Sequence, residues 1–318
     1  MSITTANEMS TSTVKGKQKK KGLASQEARL GYLFLTPWIL GFLVFTMIPM
    51  VSTLVISFTN YSLNNVNNLQ FVGLRNYAKL FSDPIVPHAM SVTLRFFAMA
   101  LPIAIFLPLG LAALMNSKHL WGKRIFRTLF YMPYMIPLVS AVLAWGGFLN
   151  EQTGWMNRFL ALFGIPGPEW IRSTTWIYPA LLLFGLWGNG QAMITMLAGM
   201  QNVPTDMYEA ARVDGANNFT IFWKITVPMV SPIIFYNLIL AVVGLFQYFL
   251  EPYVLTRGTG DPGNATMFYN LYMFKNFFQY QDMAYGATLA WVLFLAILTV
   301  TLIIFGTRRF WVYEAERS

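Results

Sequence analysis

Apolar residues gather into six long blocks, at about 31–58, 92–115, 129–149, 176–200, 233–255 and 285–305. Each block is near the ~20 residues that a helix needs to cross the hydrocarbon core of a bilayer. At that depth a helix satisfies its own backbone hydrogen bonds, which no isolated strand or loop can do. Pro37, Pro49, Pro102, Pro108, Pro133 and Pro137 interrupt the blocks. Packed membrane helices tolerate such prolines where a water-soluble helix would not. The pattern predicts an all-α, polytopic membrane protein with six transmembrane helices within residues 25–310.

Composition agrees. Of 318 residues, 56% are hydrophobic and 11% charged, against about a quarter charged in a soluble domain. The net charge of +9 could suggest nucleic acid, but its distribution follows the membrane. With the N-terminus inside, the lysines at 15, 17 and 19–21, Lys118, Lys123, Arg124, Arg127, Arg212, Lys224, Arg308 and Arg309 all fall on that side. That bias predicts that both termini are cytoplasmic, and no nucleic-acid partner is expected. Residues 1–24 read as a disordered basic tail, either solvated or touching anionic membrane lipid, and residues 311–318 as a second cytoplasmic tail. The first block is too long for a signal-peptide core and lacks a clear cleavage site, so it is expected to stay.

Candidate chemistry narrows the function further. There is no cysteine, and His88 and His119 fall on opposite sides of the expected membrane, so no metal site is implied. No paired carboxylates or Ser–His pair lie at membrane depth, which argues against a membrane enzyme.

The inside loop at 201–232 stands apart because it is long and mixed in charge. Asp206 and Glu209 have the spacing of a helix-capping pair, Ala210 and Ala211 make a small-faced turn, and Asp214-Gly215 supplies a helix stop. Phe219, Phe222 and Ile225 then recur at spacing three, and Pro228 is expected to end or kink that helix. The residues allow either an ordinary capped loop or a helix–turn–helix that lies in a groove on another protein.

Glu209-Ala210-Ala211, Asp214-Gly215-Ala216, Phe222, Ile225, Pro228 and Pro232 resemble the EAA motif of ABC importer permeases. Thr220 and Trp223 depart from its usual Gln and basic residue. The resemblance implies that Glu209, Ala210, Ala211, Asp214, Gly215 and Ala216 couple the chain to ABC ATPase subunits, two in number. It also implies a second homologous permease subunit and an extracytoplasmic solute-binding protein. The chain contains no G-x-x-x-x-G-K-[ST] phosphate loop, so it needs no cofactor of its own. ATP and magnesium would belong to the partner ATPase. Gly73-Leu74-Arg75-Asn76-Tyr77 with Leu80-Phe81, the stretch 256–266, Tyr272 and Tyr285-Gly286 are similar to sugar permeases related to the maltose-importer subunit. The large outside insertion of that subunit is absent. The family implies a bacterial or archaeal cell (inner) membrane.

Polar residues inside spans usually face a bundle interior or an aqueous cavity. Asn237, Gly244, Tyr248 and Glu251 have spacings that place them on one helical face, with Gln247 beside it. Asn189 and Gln191 form a second patch in Trp187-Gly188-Asn189-Gly190-Gln191, where Gly188 and Gly190 would loosen the helix. These groups predict either a sugar path or helix–helix packing. Arg95 reads as snorkelling to the interface. The expected cargo is a sugar or oligosaccharide. A non-sugar solute such as a polyol phosphate or polyamine remains the alternative, and an ATP-independent secondary transporter would leave the 201–232 loop unexplained.

Overall fold

A computed structural model describes residues 19–117 and 120–314. The tail expected at 1–24 lies outside the described residues up to residue 18, and the 311–318 tail lies outside them from residue 315. Residues 19–24 are already helical. Among the described residues there is no strand, only one isolated bridge between Thr59 and Phe71.

The first span begins in α1 (Lys19–Phe42), widens through a π turn at Leu43–Met47 and continues as α2 (Ile48–Ser57). Residues 1–55 and 56–318 form two compact units, and everything that follows lies in the second. There α3 (Arg75–Ser82) leads into α4 (Ile85–Asn116), which runs unbroken through Pro102 and Pro108. Next come α5 (Lys123–Tyr131), α6 (Leu138–Phe148) and the short α7 (Trp155–Ala161). The pair α8 (Ile177–Trp187) and α9 (Gly190–Gln201) precedes α10 (Thr205–Val213). The chain continues through α11 (Asn218–Ile221), α12 (Val227–Phe246) and α13 (Leu250–Thr256). It closes with α14 (Tyr269–Phe274) and α15 (Met283–Trp311).

Among the described residues, four helices are long and apolar enough to cross a membrane, at Ala28–Ser57, Ile85–Asn116, Asn218–Thr256 and Met283–Trp311. Two bent pairs raise the number to six if each counts as one span. The third span differs from the expected continuous helix, while the fourth bends where Gly188 and Gly190 were expected to loosen it. Between α5 and α6 the axis turns by 103°. Pro133 sits in a 3-10 turn there, and Ile136, which precedes Pro137, is extended (φ −81°, ψ 132°). A residue before proline is pushed out of the helical region by the proline ring. Between α8 and α9 the bend is 47° and falls at Gly188-Asn189.

The fifth span also differs from expectation. Pro228 neither ends nor sharply breaks the helix, and the span over Asn218–Thr256 continues past it. A π turn over Phe222–Thr226 comes first, and the Val227 N–H bonds to the Phe222 carbonyl. Pro228 then occupies the opening positions of α12, where a missing N–H costs little.

The core is built around α4. On its N-terminal half Ala89, Val92, Phe96 and Ala100 pack with Ile177, Leu181, Phe268, Tyr269 and Leu289. On its other half Ile105, Leu109, Ala112 and Met115 pack with Met193, Met196, Met200, Val230 and Ile234. These positions recur at three and four residues along α4, one face of a helix. Leu94, Met99, Phe106 and Leu114 point away and stay exposed, as suits a face that meets lipid.

Candidate functional site

Helix α10 is short, and its start differs from the expected capping pair. Pro204 stands at the N-cap, where no side chain caps the helix, and Asp206 lies in the first turn. An acidic residue there still complements the helix dipole, as does Arg212 in the last turn. The end matches expectation. Gly215 takes φ +79°, its N–H bonds to the Arg212 carbonyl at 3.0 Å, and the Ala216 N–H reaches the Ala211 carbonyl at 2.9 Å. This pair of bonds is a Schellman stop. Asn217 then caps α11 by accepting from the Thr220 N–H at 2.8 Å.

The anchor of α10 is Tyr208, whose hydroxyl is 3.2 Å from Thr226 Oγ1 and whose ring packs on the inner core beside buried Val203. The opposite surface is open. Glu209, Ala210, Asp214 and Gly215 are exposed, and Ala211 and Ala216 are half-buried. Val213 is 87% exposed and Phe219 is 73% exposed. Trp223 meets both Phe219 and Phe222 edge-on. Small and apolar groups thus project from a fixed turn. The sequence marked its outer residues but not the Tyr208–Thr226 anchor, whose partners are eighteen positions apart.

Two cavities lie between the helices of the second unit. One, of about 390 Å³, is lined by α4, α6, α8 and the 245–251 stretch, with Asn189, Trp187, Tyr134, Tyr248 and Glu251 as its polar groups. The other, of about 750 Å³, is bounded by α12, α14 and α15 and presents Gln247, Asn270, Tyr248 and Glu251. Both volumes are within the usual range for small-molecule sites. Leu138, Tyr248 and Glu251 line both.

The polar groups meet there because the helix breaks, not because they share one helical face. After α12 ends at Phe246, residues 247–249 leave the helix and α13 begins at Leu250. The freed Gln247 carbonyl accepts from Asn270 Nδ2 at 2.9 Å, which meets the need for every backbone group in a membrane to find a partner. Tyr248 stacks on Phe96 with ring centroids 4.6 Å apart and meets Phe268 edge-on at 5.1 Å. Its hydroxyl is buried without a hydrogen-bond partner. Gly244 lines the larger cavity.

The other expected path residues fall elsewhere. Asn237 is buried, bonds back to the Ile233 carbonyl at 2.9 Å and lines neither cavity. Gln191 is exposed and also lines neither. Asn189 bonds to the Gly185 carbonyl at 2.6 Å and so closes the end of α8. Gly190 serves close packing, since a Cβ there would lie 2.0 Å from the Phe130 carbonyl oxygen. Phe96 and Phe268 were not singled out from sequence. Among the described residues no three His, Cys, Asp or Glu come together to hold a metal.

A third polar cluster joins α3 to the segment after residue 256. Asp83 accepts from the Tyr272 hydroxyl at 2.6 Å, the Tyr285 hydroxyl at 2.7 Å and the Ile85 N–H at 2.9 Å. Burial works to raise the Asp83 pKa, but the Tyr272, Tyr285 and Ile85 bonds and the charge of Lys79 together hold it below the usual 3.8. Burial, and then the bond to Asp83, push the Tyr272 hydroxyl well up. Lys79 pairs with Asp282 at 2.9 Å and lies over the Tyr285 ring. Asn76 donates to the Ser57 and Thr59 carbonyls at 2.8 and 2.7 Å, and Tyr77 meets Ser57 at 2.9 Å. The Gly73–Tyr77 stretch, Tyr272 and Tyr285 are therefore the pins of this face.

Comparison with known proteins follows the same outline. The family model described as the binding-protein-dependent transport system inner membrane component matches residues 104–310. The chain is 35% identical over 304 residues to the probable ABC transporter permease protein YesP of Bacillus subtilis (strain 168), covering 94% of this chain and 97% of that one. It is 34% identical over 274 residues to the arabinooligosaccharides transport system permease protein AraP of the same organism, covering 86% of each. In fold it resembles a chain of the bacterial alginate ABC transporter solved with an alginate pentasaccharide-bound periplasmic protein. That match has a TM-score of 0.78 at 21% identity and covers 89% of this chain and 95% of the other.

Proposed function

Because this chain belongs to the binding-protein-dependent transport system inner membrane component family, we propose that it is a transmembrane permease subunit of an ATP-driven ABC importer for a sugar or oligosaccharide. The cargo class follows relatives named for arabinooligosaccharides and lactose. The observation that carries the coupling part is α10, a rigid helix with an exposed small-sided surface and a glycine-closed end.

In this reading α10 seats in a cleft of a separate ABC ATPase, one of two. Ala210, Ala211 and Ala216 provide a surface without bulk, while Glu209 and Asp214 provide acidic contacts at its two ends. Gly215 fixes where the chain turns away. ATP and magnesium bind the ATPase and not this chain. Closure of the ATPases would move α10, and Tyr208 with Thr226 would carry that displacement to α12. The breaks at 188–189 and 247–249 are the places where span halves can shift, because their backbone bonds are already rerouted.

Cargo would pass the shared lining of the two cavities. Tyr248 offers a ring face and an unpartnered hydroxyl, and Glu251, Gln247 and Asn189 offer hydrogen-bonding groups to sugar hydroxyls. Asn237 and Gln191 would serve helix packing. A second permease subunit completes the pore, and a solute-binding protein docks at the face pinned by Asp83. With α10 and both termini cytoplasmic, the location is the bacterial or archaeal cell (inner) membrane.

Gly215→Asp tests the coupling. It places a side chain at φ +79° and a carboxylate at the negative end of α10, both unfavourable. Saccharide uptake by cells should fall to background while the variant still inserts in the membrane. Normal uptake would refute α10 as the coupling element.

A further inference from the structure

We infer that Glu251 makes the cargo path selective by charge, admitting uncharged saccharides and turning away acidic ones. The inference rests on the reading that the two cavities are the path. Among the described residues, Glu251 is the sole Asp, Glu, Lys or Arg that lines either cavity, and it lines both. The ion pairs of this structure involve other residues, and Arg95 lines neither cavity. The Glu251 carboxyl therefore lines both cavities without an ion-pair partner among the described residues.

The neighbouring groups set what that charge meets. Tyr248 places its ring against Phe96 and its buried, unpartnered hydroxyl beside Glu251 in the same two linings. An ionised carboxylate only accepts hydrogen bonds, so it matches the hydroxyl donors of a neutral sugar. A uronate brings a second carboxylate, which offers no donor and repels the first. Between low-dielectric walls that repulsion is much stronger than in water. The fold itself does not decide the matter, because an importer that shares it is known for the acidic polysaccharide alginate. The lining residues decide it, and here the charge is negative.

The test uses the importer complex as it co-purifies from membranes, held in lipid nanodiscs without binding protein. The probes are radiolabelled arabinotriose and trigalacturonate. Wild type should bind arabinotriose at least about tenfold more tightly than trigalacturonate. Glu251→Gln, which keeps the shape and removes the charge, should bring the two affinities within about threefold by improving trigalacturonate. Glu251→Asp should keep the wild-type ratio, and Tyr248→Phe should weaken both probes without changing it. A wild-type ratio near one, or a ratio unmoved by Glu251→Gln, overturns charge selection; a continued loss in Tyr248→Phe would then leave the path standing. If wild type binds neither probe, or Tyr248→Phe alters neither affinity, the path reading fails and the inference fails with it.

Discussion

Asp83 shows how one side chain can hold a face together. It collects two tyrosine hydroxyls and a backbone N–H from three different stretches of chain. Each bond to an ionised acceptor is worth roughly 1.5–3 kcal/mol, and partial exposure lowers that toward about 1–2 kcal/mol in total. The sign of the pH dependence follows from the lowered pKa. The stabilisation is fully present above the unfolded value of 3.8 and is lost as pH falls through the lower folded value. Hydrogen exchange of residues 257–282, taken relative to the intrinsic amide rate at each pH, should therefore stay slow at pH 6 and quicken below pH 4. In Asp83→Asn it should already be faster at pH 6 and show a flatter acid response; an identical acid limb in the variant would contradict this. The sequence marked Tyr272 and Tyr285 only through a family resemblance. Asp83 lies about 190 positions before Tyr272 and 200 before Tyr285, and no local pattern reports a contact at that separation.

At the scale of elements, the apolar blocks were legible because burial in lipid leaves a long, simple signature. The breaks inside them were partly legible. Gly188 and Gly190 announced a weak point where the helix does bend, whereas Pro133 and Pro137 read as tolerated within a span that in fact turns sharply there. The break at 247–249 carries no proline or glycine, and it depends on Asn270 from another element accepting the role of partner to Gln247. The π turn before Pro228 was equally hidden, because it absorbs the proline that was expected to end the helix. The same logic explains why Asp206 and Glu209 do not cap: Pro204 already fixes the start of α10. One contact between elements is sharp enough to predict. Gly190→Ala would drive a methyl into the Phe130 carbonyl and should cost about 1–3 kcal/mol, lowering the melting temperature of the purified chain by several degrees. Gly110→Ala has no heavy atom within 4 Å and should leave it unchanged or slightly higher, since alanine favours helix by about 1 kcal/mol. Equal melting of both variants would contradict the α5–α9 packing.

For the whole molecule, the division of labour follows from where rigidity and breaks are placed. The long α4 forms an uninterrupted spine with core packed along its length, while the bent helices around it line the cavities. The exposed α10 stands on that frame through Tyr208, which touches Thr226 just before α12; under the proposed function this contact passes force from α10 to α12 and the break at 247–249. In the proposed function, energy enters through α10 from a separate ATPase.

The most direct test of that account isolates the chain from its native membranes under mild detergent and assays the preparation for ATP hydrolysis. The account predicts that an ATPase co-purifies with the wild-type chain and is lost when residues 209–215 are replaced by a Gly-Ser linker of equal length. A chain that purifies alone and moves saccharide across liposomes without ATP would contradict it.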